Sequence, residues 1–417
     1  MTLSIDSEVP GGTLLPDLKT MDVEAPPRLF LAALRAAGRD WRGGTFTLVH
    51  PDGQSETFGR KGSGPDAVLR VRNWAFARRA LGSGDIGVAE SYIAGEWDTP
   101  DLADLLTVLA ENYERLNRLA VGAPLFRMVN KLRDTLFRRN TANQAKRNIH
   151  AHYDLGNAFY AAWLDPTMTY SSALFAAEDE ALEAAQRRKY ATLAEAMGLE
   201  AGMSVLEIGC GWGGFAEFAA SERDARVTGL TISQAQLDYA RARMERKGLT
   251  DKVELRFEDY RDTQGRFDRI ASIEMFEAVG EQYWPAYFRA VREHLTDTGK
   301  AGLQIITIDP AMFDRYRKRV DFIQQYVFPG GMLISEPRLA EEAARAGLRI
   351  ASIRRFGPDY ARTLALWAQR FEAAWETLRK QGFDEQFRRL WRFYLAYCEA
   401  GFRTGRTDVI QVVLEPA

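Results

Sequence analysis

Hydrophobic positions along this chain follow two different periods. From Met203 onward, short apolar runs alternate with longer stretches of helical spacing. MSVLEI (203–208), RVTGL (226–230), KVELRF (252–257), DRIASI (268–273) and GLQIITI (302–308) read as strands. SQAQLDYARARMERKG (233–248) and EQYWPAYFRAVREHL (281–295) carry the 3–4 spacing of amphipathic helices between them. This alternation predicts an α/β fold, with a parallel sheet covered on both faces. After Pro358 the pattern is helical to about Ala400, and DVIQVVL (408–414) is a last strand. The N-terminal part reads differently. AVLRVRNW (67–74) looks like a strand and DLADLLTVLAENYERL (101–116) like an amphipathic helix, with Gly82, Gly84, Gly87 and Gly95 suited to turns between them. Residues 28–116 are therefore expected to form a smaller α+β domain. Residues 1–27, with four prolines, read as a mobile tail.

Between these regions lies LFRMVNKLRDTLFRRNTANQAKRN (125–148), where seven basic residues face one acid, Asp134. Leu125, Met128, Val129, Leu132 and Leu136 recur at helical spacing. A basic amphipathic helix suits an anionic membrane surface, each basic residue there contributing about 1 kcal/mol. A solvated helix packed on a neighbouring domain fits the same pattern. The segment is taken as a connector over 117–150, ahead of a domain over 151–417.

Composition narrows the classes. A length of 417 residues suits two or three domains, and 46% apolar with 27% charged residues is ordinary for a globular chain. A net charge of −2 gives no global nucleic-acid footprint. Two cysteines and four histidines supply neither a disulfide framework nor a cysteine-based zinc site, so no metal is expected. No basic start followed by an apolar run marks a signal peptide. No stretch approaches the roughly 18 apolar residues that span a bilayer. The expected location is cytoplasmic, meeting a membrane only at its inner surface.

The sharpest local signal is VLEIGCGWGG (205–214). An apolar strand delivers Glu207, and Gly209, Gly211 and Gly213 allow a tight turn and close backbone approach to a ligand. The spacing E-x-G-x-G-x-G fits an S-adenosylmethionine (SAM) site better than the G-x-G-x-x-G of dinucleotide sites. GLTISQAQ (229–236) and EDYRD (258–262) end the next two strands, where further ligand contacts fall in such sheets. Thr231 stands where many SAM sites place an acid for the ribose.

These segments, together with YDLGNAFYAAWLDPTMTYSSALF (153–175), MFEAVG (275–280), FPGGML (328–333), DYARTLALW (359–367) and YCEAGFR (397–403), resemble the cyclopropane-fatty-acyl-phospholipid synthase family over roughly 149–414. The resemblance implies a seven-stranded Rossmann-like SAM methyltransferase fold. It implies SAM contacts from Tyr170 and Ser171, from the turn carrying Val205, Glu207, Gly209, Cys210, Gly211 and Gly213, and from Thr231, Gln236, Asp259 and Tyr260. The implied substrate is an unsaturated acyl chain of a membrane phospholipid. The family surrounds a bicarbonate base with a carboxylate, a tyrosine, a histidine and a cysteine-bearing loop. Glu277 matches the carboxylate and Tyr360 the tyrosine, while Ser172, Ala278 and Ile306 stand where the family has Cys, His and His. The implied product is a cyclopropane or a methyl-branched chain; those departures weaken the case for bicarbonate and for ring closure, and favour a methyl-branched or methylene product. The resemblance implies Glu277, Tyr360, Ser172 and Cys398 as the catalytic set, although the aromatic helix around Cys398 better suits a packed thiol. A homodimer and a partner reductase are further expectations. An N-methyltransferase for a small amine and a non-catalytic SAM- or lipid-binding protein remain as alternatives.

Overall fold

The computed structural model describes residues 23–120 and 155–417. The expected basic connector thus falls almost entirely outside the described residues, as do residues 1–22 of the expected tail. Tertiary contacts divide the chain into two units, 1–130 with 372–394, and 131–371 with 395–417.

The first unit holds a four-stranded sheet of β1 (Thr45–Val49), β2 (Ser55–Gly59), β3 (Asp66–Val71) and β4 (Trp97–Asp98), in the order β2-β1-β3-β4. β1 runs antiparallel to β2 and parallel to β3. The strand expected over 67–74 stops at Val71, because Trp74 already starts the helix Ala75–Ser83. The helix expected over 101–116 is two helices, Leu102–Glu111 and Tyr113–Ala120. Asn112 divides them: its amide donates to the carbonyls of Arg42 and Val108 and accepts from the Arg42 N–H. Val23, inside the expected tail, is hydrogen-bonded to Asn73 and Trp74.

Residues 372–394 were expected in the second domain and belong to the first unit. Buried Arg389 gives the reason. Its guanidinium donates to the carbonyls of Tyr92 (2.5 Å) and Trp97 (2.8 Å), pairs with Asp98 at 2.9 Å and lies over the Tyr92 ring. A planar fork of donors matches such a set of acceptors where an ammonium would not.

The second unit is built on seven strands: β5 (Ser204–Ile208), β6 (Arg226–Thr231), β7 (Val253–Phe257), β8 (Phe267–Ile273), β9 (Leu295–Ile308), β10 (Leu348–Arg355) and β11 (Thr407–Pro416). Their order is β10-β11-β9-β8-β5-β6-β7. The five from β5 to β9 are parallel, and β11 runs antiparallel between β9 and β10. Apolar cores lie on both faces, one including helix Trp284–His294, the other helices Leu182–Met197 and Gly214–Glu222. The order reverses beside β5, so the carboxyl ends of β5 and β8 flank the crevice where ligands bind in open α/β sheets. β10 escapes sequence reading: LRIASIRR buries only Leu348 fully, as an edge strand can.

Candidate active site

The glycine turn follows β5 as expected. Gly209, Gly211 and Gly213 have φ of +82°, +52° and +80°, which glycine adopts without strain. Gly209 and Cys210 donate to the Leu230 carbonyl, which ties the turn to β6. A Cβ on Gly209 would stand 2.5 Å from Met275 Cγ, whereas one on Gly211 would meet nothing within 4 Å. One glycine therefore lets the loop after β8 close on the turn. The next faces open space.

Glu207 is buried, and its Oε2 has no hydrogen-bond partner among the described residues. Burial pushes its carboxyl well up, against the pull of Arg243. Such an acceptor suits a ligand with hydroxyl or ammonium donors. Thr231 donates to Gln236 at 3.0 Å, and both are buried. Asp259 holds Arg261 through both oxygens at 2.8 and 2.6 Å, and half-buried Tyr260 packs edge-on against Tyr287. The Cys210 thiol is raised by burial, so it acts here as a packed group. Trp212 donates to Asn157, which brings helix Asn157–Ala161 over the turn.

Segment 170–175 runs beside this crevice, pinned by side chains from distant elements. Tyr170 packs among Tyr160, Trp163 and Trp367, with ring centroids 5.3 to 5.6 Å away. Ser171 Oγ accepts from Lys189 Nζ at 2.6 Å, and its carbonyl accepts from Gln186. Ala173 and Phe175 donate to Thr363 and Asp359. The Ser172 N–H donates to Glu274 Oε1 at 2.8 Å.

Glu274 is the residue that sequence reasoning missed. It ends β8 with φ +49°, in the left-handed region. Oε1 also accepts from Gln304 (2.7 Å), and Oε2 accepts from the Tyr360 hydroxyl (2.6 Å). Burial raises this carboxyl above its usual range, and Lys189, Tyr360, Gln304 and the Ser172 N–H offset that only in part. Lys189, fully buried, is pushed down to about 7 by burial, opposed by Glu274 and Asp165. A second acid at a parallel strand's carboxyl end, and a lysine on the apolar stripe of helix 182–197, were the available signals.

Glu277 lies three residues on. Its Oε1 accepts from the Ile306 N–H at 2.5 Å, while its buried Oε2 has no partner among the described residues. Burial, reinforced by Glu274, raises it to about 8, so it is largely protonated at neutral pH. The fold thus brings Ser172 and Tyr360 together on Glu274, with Glu277 beside it. Tyr360 stacks on Phe402 at 4.5 Å. The Cys398 thiol is raised strongly by burial and is no thiolate.

A mostly parallel seven-stranded sheet with a glycine turn at its switch point, an open cradle at Gly211 and a buried acceptor at Glu207 defines the class: this is a SAM-dependent methyltransferase. Residues 140–412 match the family model described as mycolic acid cyclopropane synthetase, and the chain belongs to that family. It is 41% identical to the tuberculostearic acid methyltransferase UfaA1 of Mycobacterium tuberculosis, over 88% of this chain and 87% of that protein. It is 36% identical to the cyclopropane-fatty-acyl-phospholipid synthase of Escherichia coli K12, over 84% and 88%. The crystal structure of mycolic acid cyclopropane synthase CmaA1 complexed with SAH and CTAB superposes with a TM-score of 0.60 at 32% identity, over 64% of this chain and 97% of that one.

Proposed function

We propose that this enzyme transfers a methyl group from SAM to the double bond of an unsaturated acyl chain in a membrane phospholipid, and that the product is a methyl-branched or methylene chain. The observation that carries the reading is the similarity to two lipid-acting relatives over more than four fifths of each chain. The residues present fit the methyl donor. Gly211 leaves room for backbone approach, and Glu207 offers a buried acceptor to the donor's ammonium or hydroxyls. Tyr170 and Ser171, Thr231 and Gln236, and Asp259 and Tyr260 are proposed to complete the pocket. When bound, SAM supplies an electrophilic methyl on a sulfonium, which even a weakly nucleophilic alkene attacks.

The chain's residues have three tasks. Tyr160, Trp163, Tyr170 and Trp367 form a tight aromatic group that excludes water and offers ring faces to a cationic centre. Glu277, largely neutral, places no second full charge beside Glu274. Tyr360 and Ser172 hold the Glu274 carboxylate in place. Bicarbonate has no part in this reading, because Ser172 directs its hydroxyl to the Ala173 carbonyl and Ile306 contributes only backbone. Cys398 is assigned to packing.

The site lies in the cytosol in this reading, with the chain held at the inner membrane surface by residues 125–148. A homodimer and a partner reductase that saturates the product belong to the same reading. The test is proton NMR of lipid made by the purified enzyme from SAM and a monounsaturated phospholipid. Vinylic methylene or allylic methyl signals are expected. Upfield cyclopropane protons as the main product would refute the branched outcome. SAM binding without any methylated lipid would refute the substrate.

A further inference from the structure

We propose that Glu274 is the general base of the reaction, a carboxylate of the chain itself that takes the proton the methylated acyl cation must lose. The inference rests on the lipid-methylation reading above and names the group that completes it.

Four observations converge on this side chain. First, its backbone has φ +49°, in the left-handed region that glycine adopts freely and a residue with a Cβ does not. The contacts of its carboxylate hold the residue in that conformation. Second, hydrogen bonds from Ser172 N, Gln304 Nε2 and the Tyr360 hydroxyl converge on its two oxygens. Donors aimed at both oxygens favour the ionised form and fix its direction. Third, buried Lys189 donates to Ser171 Oγ, in the segment proposed to meet the cofactor, and its field favours the charged form of Glu274. Fourth, Met275, the next residue in the chain, closes on Gly209 of the glycine turn, so Glu274 adjoins the residue that meets the turn. Glu277 lacks these supports. One backbone N–H meets one of its oxygens, and the other has no partner among the described residues. Two neighbouring carboxyls in such different surroundings suit different roles, and the one met by three aimed donors is the one held in place to take a proton.

The step balances without an added base. The alkene π pair forms a bond to the sulfonium methyl as the carbon–sulfur bond breaks, and the sulfur keeps that pair. The other alkene carbon is left cationic. Glu274 Oε2, whose hydrogen bond to Tyr360 leaves a lone pair, takes a proton from a carbon beside the cation. The freed C–H pair becomes a new double bond. As the product leaves, the carboxyl returns the proton to water.

The test compares the parent enzyme with Glu274→Gly and Glu274→Gln in buffer stripped of carbon dioxide. The parent should keep its rate. Both variants should fall by about 10²–10⁴-fold while binding SAM in calorimetry as the parent does. Glycine suits the local backbone, so a loss in Glu274→Gly reflects the missing carboxylate. Added bicarbonate or acetate should restore part of the rate to Glu274→Gly and none to the parent. ¹³C-bicarbonate binding should appear in Glu274→Gly and be absent from the parent. A parent that stops without bicarbonate, a Glu274→Gly that keeps the parent rate, or equal bicarbonate binding by both overturns the proposal. A parent that binds SAM but methylates no lipid overturns the reading of function instead. The bicarbonate comparison then decides alone whether Glu274 is the resident anion.

Discussion

Gly211 combines φ +52° with open space where a side chain would begin. Valine there meets both a strained backbone and the volume a ligand needs. Gly211→Val should lower SAM affinity at least tenfold in calorimetry, and parent-like binding would remove the turn from the site. Glu277 makes a pH prediction. Its folded value is about 8 against a usual value of 4.5, so between these the native state binds more protons than the unfolded chain. Its contribution is fully present below about pH 4.5 and is lost as pH rises through about 8, at up to about 1.4 kcal/mol per pH unit. Glu277→Gln, which cannot ionise, should flatten that decline. Urea midpoints for both proteins at about pH 5 and about pH 8 measure it; parallel declines would place the ionisation elsewhere. The sequence motif singled out Glu277 and passed over Glu274. The roles divide by burial and donors that meet in three dimensions.

At the scale of elements, the parallel strands were legible because apolar runs buried on both faces leave a strong pattern. β10 was not, because an edge strand buries little and LRIASIRR carries three arginines. The break at Asn112 was also hidden, since its side chain bonds the Arg42 backbone, 70 residues away. Arg389 shows the same effect with larger consequence. Read locally it is one of many charges on a helix, Glu385–Arg403, yet it is buried on two carbonyls and Asp98. Arg389→Ala should destabilise the first unit by about 3 kcal/mol, by leaving those acceptors unpaired. Arg389→Lys should recover little, because an ammonium lacks the fork. Denaturant titration followed by tryptophan fluorescence would check both, and a parent-like midpoint for Arg389→Ala would show that the contact carries no stability.

For the whole molecule, no helix among the described residues is long and apolar enough to cross a membrane. In the proposed reading the acyl chain is met at an anionic surface, through the seven basic residues of 125–148. Neutralising Arg138 and Arg139 should weaken sedimentation with anionic vesicles, and salt should do the same, since exposed charges are screened within about 8 Å at physiological ionic strength. Equal binding to neutral and anionic vesicles would sink this proposal. The sequence alone determined the class of sheet, the glycine turn and the family, because those depend on local periodicity and on motifs contiguous in the chain. Tertiary structure alone decided that 372–394 belong with the N-terminal unit, that Ser172, Gln304 and Tyr360 converge on Glu274, and that two glutamates three residues apart differ in their donors. Burial and hydrogen bonding between residues up to 297 positions apart set those outcomes, and no local pattern encodes them.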